Sequence, residues 1–263
     1  MSAPQADFIW YELMTPDSDA AAAFYGAVVG WKIEPPADGA ETDYRMIVRD
    51  DKGNAGGMLE LTQEMIDGGA GPLWIPYLYC SDVDATISAI EKAGGVLQMP
   101  PTDLPVGRIA MIADPQGVPI YIMDPIPPDG APDTGSDVFS PDALQRVGWN
   151  ELESPDLEES KRFYTDHFGF EFNESMNMGE MGDYCFIDHD SRRLGAVFQQ
   201  QDRSQSASWQ MYFRVPSVTA AKATVESKSG TVLMGPMEVP GGDWIIIATD
   251  PQGARFGLVS AGA

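Results

Sequence analysis

The sequence predicts an α+β chain of two tandem domains, each built from two strand–helix–three-strand (βαβββ) modules. Three observations carry that prediction: an internal repeat, the same order of strand and helix signals in both copies, and a proline-rich stretch between them. Trp10-Tyr11-Glu12-Leu13-Met14-Thr15-Pro16-Asp17 recurs as Trp149-Asn150-Glu151-Leu152-Glu153-Ser154-Pro155-Asp156. At the same offset Phe24-Tyr25 returns as Phe163-Tyr164 and Gly30-Trp31 as Gly169-Phe170. Further on, Trp74 matches Trp209, Gly95 matches Gly230, and Asp114-Pro115-Gln116-Gly117 returns as Asp250-Pro251-Gln252-Gly253. So many ordered matches mark a duplication whose copies differ by small loop insertions. The stretch Pro125-Ile126-Pro127-Pro128-Asp129-Gly130-Ala131-Pro132-Asp133-Thr134-Gly135-Ser136 has no apolar period and reads as an extended linker. The domains are therefore placed at 1–127 and 144–263, with 128–143 between them.

Each element follows from local signals. The first strand, Phe8 to Met14, ends at Thr15-Pro16-Asp17, where proline stops the ladder and Asp17 or Ser18 caps a helix. In the copy, Asp156 followed by Glu159 has capping-box spacing. The helix buries Phe24 and Tyr25 and closes at Gly30. Strands follow at Tyr44–Val48 and Gly57–Leu61, with Gly53-Asn54-Ala55-Gly56-Gly57 read as a glycine-rich turn. Ile75 to Cys80 is a strand, and Asp82 to Ala93 a helix closed by Gly94-Gly95. Ile109–Ala113 and Ile120–Met123 flank the Asp-Pro-Gln-Gly turn as a hairpin.

Composition narrows the function. At 263 residues the chain exceeds the usual single-domain size, and 40 Asp and Glu against 16 Lys and Arg give a formal net charge of -24. That field repels nucleic acid and anionic lipid, so neither is expected as a partner. No apolar run approaches the ~20 residues that span a bilayer, and Met1 to Asp7 lacks the basic start of a secretion signal. The two cysteines, Cys80 and Cys185, sit in predicted strands and do not form a disulfide framework. A soluble, acidic, cytoplasmic protein is expected, monomeric or homodimeric.

The order of elements, with Asp17 ahead of Phe24-Tyr25 and Gly30-Trp31 and with Asp-Pro-Gln-Gly before a last strand, resembles the vicinal oxygen chelate superfamily. This is the group of glyoxalase I, bleomycin-resistance proteins and extradiol dioxygenases. The resemblance spans nearly the whole chain apart from the linker. Trp-x-Glu-Leu near the start and Trp-x-x-Tyr before the second helix are similar to a two-domain, glyoxalase-like subgroup that includes a mycobacterial antigen. It implies that paired modules curl into a cup-shaped mixed sheet with helices outside, and that a divalent metal sits on the concave face. The metal's ligands would come from the first and last strands of each module. Residue by residue, those positions hold Trp10, Glu60, Ile75 and Tyr121 in the first half, and Trp149, Gln199, Gln210 and Gly257 in the second. Glu60 alone keeps an ionisable ligand type, and neutral amides bind metal weakly without imidazole or carboxylate beside them. The two histidines, His167 and His189, fall outside these positions, in a helix's last turn and a strand-end turn. The expectation is a site with no metal and no cofactor.

Organic side chains then carry the function. Strand alternation puts Trp10, Glu12 and Met14 on one face, and Trp149, Glu151 and Glu153 on its counterpart. A carboxylate beside an indole in an apolar cup has a raised pKa and suits general acid or base work, so Glu12 and Glu151 are the candidate catalytic residues. The other reading of this recurrent pair is structural hydrogen bonding. Ile75, Tyr77 and Tyr79 share a face with Tyr121, and Arg108 is expected at the rim, which suits a small polar-aromatic ligand. Gln199, Gln210, Tyr212 and Arg214 line the second cup, where Arg214 would clamp a carboxylate. Met176, Met178 and Met181 read as a loop over it. Together these features predict a metal-independent protein that holds a small organic molecule, by sequestration or by glutamate-assisted proton transfer. If enzymatic, it would be a glyoxalase-like lyase or isomerase. The alternatives are a divalent-metal-dependent lyase or dioxygenase and a non-catalytic interaction module.

Overall fold

The computed structural model describes residues 7–40, 42–127 and 135–263. Most of the predicted N-terminal start and the linker core Pro128–Thr134 lie outside the described residues. The first module is β1 (Phe8–Thr15), α1 (Ser18–Val28), β2 (Lys32–Ile33), β3 (Tyr44–Val48) and β4 (Asn54–Glu60), followed by a short helix α2 (Gln63–Asp67). The second is β5 (Leu73–Tyr79), α3 (Val83–Lys92), β6 (Val96–Leu104), β7 (Gly107–Ala113) and β8 (Pro119–Pro125). The third is β9 (Val147–Ser154), α4 (Leu157–Phe168), β10 (Ser175–Asn177), β11 (Asp183–His189) and β12 (Arg192–Gln199). The fourth is β13 (Trp209–Arg214), α5 (Val218–Ser227), β14 (Thr231–Glu238), β15 (Trp244–Thr249) and β16 (Arg255–Ser260). The strands form two eight-stranded mixed sheets, β2-β3-β4-β1-β5-β8-β7-β6 and β10-β11-β12-β9-β13-β16-β15-β14. The α+β architecture of tandem βαβββ modules is the one the sequence predicts.

The opening helix of every module is capped in the same way. Asp17, Asp82, Asp156 and Ser217 precede α1, α3, α4 and α5, and each side chain accepts a backbone N–H from three residues on. Those N–H groups have no intrahelical acceptor, which is why small polar side chains recur at these four points.

Two compact groups of segments carry the hydrophobic cores. One comprises the described residues of Met1–Ile9, Ile75–Ser136 and Asn150–Trp209; the other comprises Trp10–Trp74, Asp137–Trp149 and Gln210–Ala263. In the first, the Asp114 carboxylate accepts from Gln116 N and Val118 N at 2.9 Å each, and from Tyr164 Oη at 3.3 Å. Tyr164 Oη in turn accepts from Trp209 Nε1 at 3.2 Å. In the second, Asp250 accepts from Gln252 N, Gly253 N and Ala254 N at 2.8–3.0 Å and from Tyr25 Oη at 3.1 Å. Trp74 Nε1 donates to Tyr25 Oη at 2.9 Å. Burial pushes both carboxyls above the usual carboxylate range and both phenols well above theirs. Trp31, Trp74, Phe213 and Phe256 pack around Tyr25, while Phe170 and Trp209 pack around Tyr164.

Several local expectations change. The glycine-rich stretch is strand: Gly56 and Gly57 lie inside β4. A Cβ on Gly56 would stand 2.2 Å from Tyr11 O, and one on Gly57 2.0 Å from Tyr44 Oη, so both glycines answer to close approach. His189 closes β11 in a buried position, its Nδ1 3.1 Å from Gly169 O, and the turn itself is Asp190-Ser191 with positive φ at both. Met176 lies in β10, and Met181 in a short 3-10 turn, Gly179–Met181. Cys80 and Cys185 are buried free thiols, and burial pushes Cys80 up to about 11.

Candidate functional site

Strand register decides which expected residues share a face. In the parallel β1–β4 pair, Glu12 stands opposite Gly57 and Thr15 opposite Glu60. Partners in register project to the same side, so Glu60 lies on the face opposite Glu12. Its Oε2 accepts from Ser18 N at 3.1 Å, at the start of α1. The copy behaves identically: Gln199 pairs with Ser154, its Oε1 accepts from Leu157 N at 3.3 Å, and its Nε2 donates to Ser154 O and Pro155 O at 3.1 and 2.8 Å. The expectation that Glu60 and Gln199 share a surface with Trp10 and Trp149 is thereby corrected. Both side chains satisfy backbone groups around the start of a helix.

Arg108 is corrected on the same grounds. It donates to Asp84 on α3 at 3.0 Å through both Nε and Nη2, and to Asp103 at 2.7 Å, on the helix side of β7. Its neighbours Ile109 and Met111 are the β7 residues on the Tyr121 side, where Met111 stands opposite Tyr121. Arg214 is committed too: Nη1 and Nη2 form a bidentate pair with Asp243 at 2.7 and 3.1 Å, which supplies internally the carboxylate that was expected from a ligand.

Of the aromatic positions, Tyr77 and Tyr121 are register partners, stacked at 4.3 Å and each 5% exposed. Tyr79 beside them is also buried, and burial raises its phenol. In the fourth module Tyr212 stands opposite Gly257, and a Cβ there would lie 2.3 Å from its ring. Tyr212, Ile247 and Val259 form one apolar cluster, with Trp149 and Ile245 packed on it. Gln210 is 7% exposed; its Nε2 donates to Met211 O at 3.2 Å, and its Oε1 meets no donor among the described residues.

Two glutamates remain, and their settings differ. Glu12 is 2% exposed, on the face where Trp10 Nε1 donates to Tyr44 Oη at 3.0 Å. Glu151, its counterpart in β9, is only half-buried, and Tyr184 Oη donates to Glu151 Oε1 at 2.6 Å. Around this pair the third module turns one side of its sheet to partial exposure. Glu151 is opposite Ala196, Glu153 opposite Phe198, Tyr184 opposite Phe198 and Met176. Tyr184, Phe186, Phe198, Met176 and Glu153 are all half-buried, whereas the alternating residues Leu152, Cys185, Ile187 and Val197 are buried. Tyr184 packs edge-on to Phe186 at 5.7 Å and tilted to Phe198 at 5.6 Å, and the Arg193 guanidinium lies 4.2 Å above the Phe186 ring. The arrangement is a shallow aromatic surface with a carboxylate–phenol pair, the kind of lining that holds small organic molecules. Among the described residues no three His, Cys, Asp or Glu side chains gather into a set that could hold a metal ion.

Sequence reading missed Tyr44 and Tyr184, Phe186 and Phe198. A signal existed for the first two, because they occupy equivalent places in the duplicated β3 and β11.

Comparison with known proteins follows the same lines. The profile of the Glyoxalase/Bleomycin resistance protein/Dioxygenase superfamily matches residues 8–122 and 146–258. A "Putative glyoxylase CFP32" of Mycobacterium tuberculosis is 27% identical over 95% of this chain and 93% of its own. "Anthracycline biosynthesis protein DauV" of Streptomyces sp. is 27% identical over 95% and 91%. Among solved structures, a Mn(II)-bound glyoxalase from Novosphingobium aromaticivorans superposes with a TM-score of 0.63 at 17% identity, covering 98% of this chain and 82% of that one.

Proposed function

Since the chain belongs to the glyoxalase/bleomycin resistance protein/dioxygenase superfamily, we propose that it binds a small aromatic organic molecule on the exposed face of its third module, without a metal. The observation that carries this reading is the Glu151–Tyr184 pair, 2.6 Å apart, on a half-exposed surface of Tyr184, Phe186, Phe198 and Met176. A flat ring buries apolar area against those side chains, and Glu151 fixes its orientation through a polar substituent. The relative named for anthracycline biosynthesis supports a ligand with fused aromatic rings. Family relatives include a manganese protein, but the donor set such an ion needs is not assembled by the described residues here, which supports a metal-independent function.

The primary activity is sequestration. Proton transfer is its extension: the Glu151 carboxylate, which accepts from the Tyr184 hydroxyl, is the group placed to take a proton from a bound acidic C–H or O–H. Thermal denaturation with a panel of aromatic acids, alcohols and amines tests the reading. A ligand at a hundred times its Kd adds about 2.7 kcal/mol of stability, a clear rise in Tm. That rise should vanish in Glu151→Gln with Phe198→Ala. No rise with any member would favour the interaction-module alternative, and stoichiometric metal in protein purified without chelator would favour the metal-dependent one.

A further inference from the structure

We infer that the fourth module carries a second ligand site, built to hold a small apolar molecule that ends in a carboxylate with a hydroxyl beside it. The site lies on the sheet face opposite α5, and strand register lays it out in rows. The parallel register that sets Tyr212 opposite Gly257 puts Gln210 and Arg255, two residues earlier on each strand, in one row. Antiparallel pairing extends that row from Arg255 to Thr249, and from Thr249 to Thr231. Neighbouring strands thus offer a continuous line of polar side chains at one end of the face. The rows that follow are largely apolar. Ile247 stands opposite Met234, then Ile245 opposite both Val259 and Met237, and the two methionines are 44% and 41% exposed. Beyond them, Arg214 is taken up by Asp243.

The polar row is not satisfied from within. Gln210 is 7% exposed, its Nε2 is spent on Met211 O, and its buried Oε1 meets no donor among the described residues. A buried amide oxygen in that state is destabilising, and an O–H or N–H from a ligand relieves it. The terminal torsion of glutamine is soft, so the amide turns toward such a donor at little cost. Arg255 is exposed and forms no ion pair or hydrogen bond among the described residues, and its planar fork matches a carboxylate. The hydroxyls of Thr249 and Thr231 are equally uncommitted among the described residues and extend the donor line. The second module shows that the fold does not require this polarity: its corresponding row is Ile75, Pro119, Ala113 and Val96, all apolar. The formal net charge of -24 works against an anion, but distant charges are screened beyond about 8 Å at physiological ionic strength, so the guanidinium in the row governs.

Three probes share one phenylpropyl body: phenyllactate carries both polar groups, phenylpropanoate lacks the hydroxyl, and phenylpropanediol lacks the carboxylate. Titrated calorimetrically into the full chain at physiological ionic strength, phenyllactate should bind about fivefold more tightly than phenylpropanoate and about tenfold more tightly than the diol. Gln210→Met should erase the first preference and keep the second, and Arg255→Gln should do the reverse. Without ligand, Gln210→Met should melt no lower than wild type, because the orphaned oxygen is gone. Lys228→Gln removes an equal charge from the end of α5 and should change neither ratio. Glu151→Gln with Phe198→Ala should leave phenyllactate binding intact, which keeps failure of this site distinct from failure of the third-module surface. Equal affinity for phenyllactate and the diol, or an effect of Lys228→Gln as large as that of Arg255→Gln, overturns the carboxylate assignment. A hydroxyl preference that survives in Gln210→Met, or a fall in that variant's Tm, overturns the assignment of Gln210. No binding by any probe, or loss of binding in the third-module double variant, overturns the site. The wild-type ranking is itself a test and needs no variant to fold.

Discussion

The Asp-Pro-Gln-Gly turn occurs once in each compact unit, and its glutamine is used in opposite ways. In the unit holding Asp114, Gln116 Nε2 donates to Asp156 O and Ser160 Oγ at 2.9 Å each, and Oε1 accepts from Ser154 Oγ and Asp156 N at 3.0 and 2.6 Å. In the unit holding Asp250, Gln252 Oε1 is buried with no donor among the described residues. Ala21 stands where the other copy has Ser160, so one hydroxyl of the cradle is missing. That unit is fastened elsewhere. Gln145 accepts from Asp50 N and donates to Gly30 O at 2.8 Å each, while Arg49 and Arg146 both pair with Asp51 and Asp137. Meanwhile the buried Asp–Tyr–Trp chain is kept in both. An orphaned group in a core costs one to a few kcal/mol, so the buried chain is kept in both units while the contacts around it differ.

The largest expected contrast lies in the β5–β8 and β13–β16 pairs, where Tyr121 and Gly257 occupy the same place. Tyr121→Ala removes a ring stacked on Tyr77 and should cost about 3–5 kcal/mol in urea denaturation, because the remaining cavity collapses only in part. Gly257→Ala puts a methyl 2.3 Å from the Tyr212 ring and should cost about 1–3 kcal/mol. A neutral Gly257→Ala would mean that Tyr212 does not lie over that glycine. Smaller, but more specific to the comparison, are the glutamines. Gln116→Ala should cost about 2 kcal/mol and Gln252→Ala less than about 0.5 kcal/mol. Equal losses would erase the asymmetry between the units.

How far sequence carries in this chain depends on the range of the interaction. Asp17, Asp82 and Asp156 announce their helices because capping is settled within three residues. The duplicated Asp-Pro-Gln-Gly turns are legible for the same reason. Glu60 and Gln199 mislead, because alternation near a strand's end depends on register, which the partner strand sets. Gly56 and Gly57 look like a turn by composition, and only the approach of Tyr11 O and Tyr44 Oη explains them. Arg108 and Arg214 could not be distinguished from ligand-seeking guanidiniums until Asp84, Asp103 and Asp243 were placed beside them. The bond from Tyr25 to Asp250 crosses most of the chain and leaves no local trace.

The finest test of the comparison is the pH dependence of the two buried carboxyls. Burial raises both above the ordinary value of about 3.9, so each folded carboxyl holds its proton to a higher pH than the unfolded one. The stability linked to that protonation is fully present below the unfolded value and is lost as pH rises through the folded value. Asparagine carries no such proton, so Asp114→Asn and Asp250→Asn should each cost more at pH 4 than at pH 7, measured by urea denaturation against wild type. The two should also differ in size. Asp250 accepts three backbone N–H groups at Oδ1 and Asp114 two, and Glu159 adds a repulsive charge to Asp114 alone. Each N–H favours the ionised form and the nearby carboxylate disfavours it, so the pH-dependent part should be smaller for Asp250→Asn. If both variants instead cost more at pH 7, these carboxylates are stabilised as ions and the desolvation argument fails for both units together.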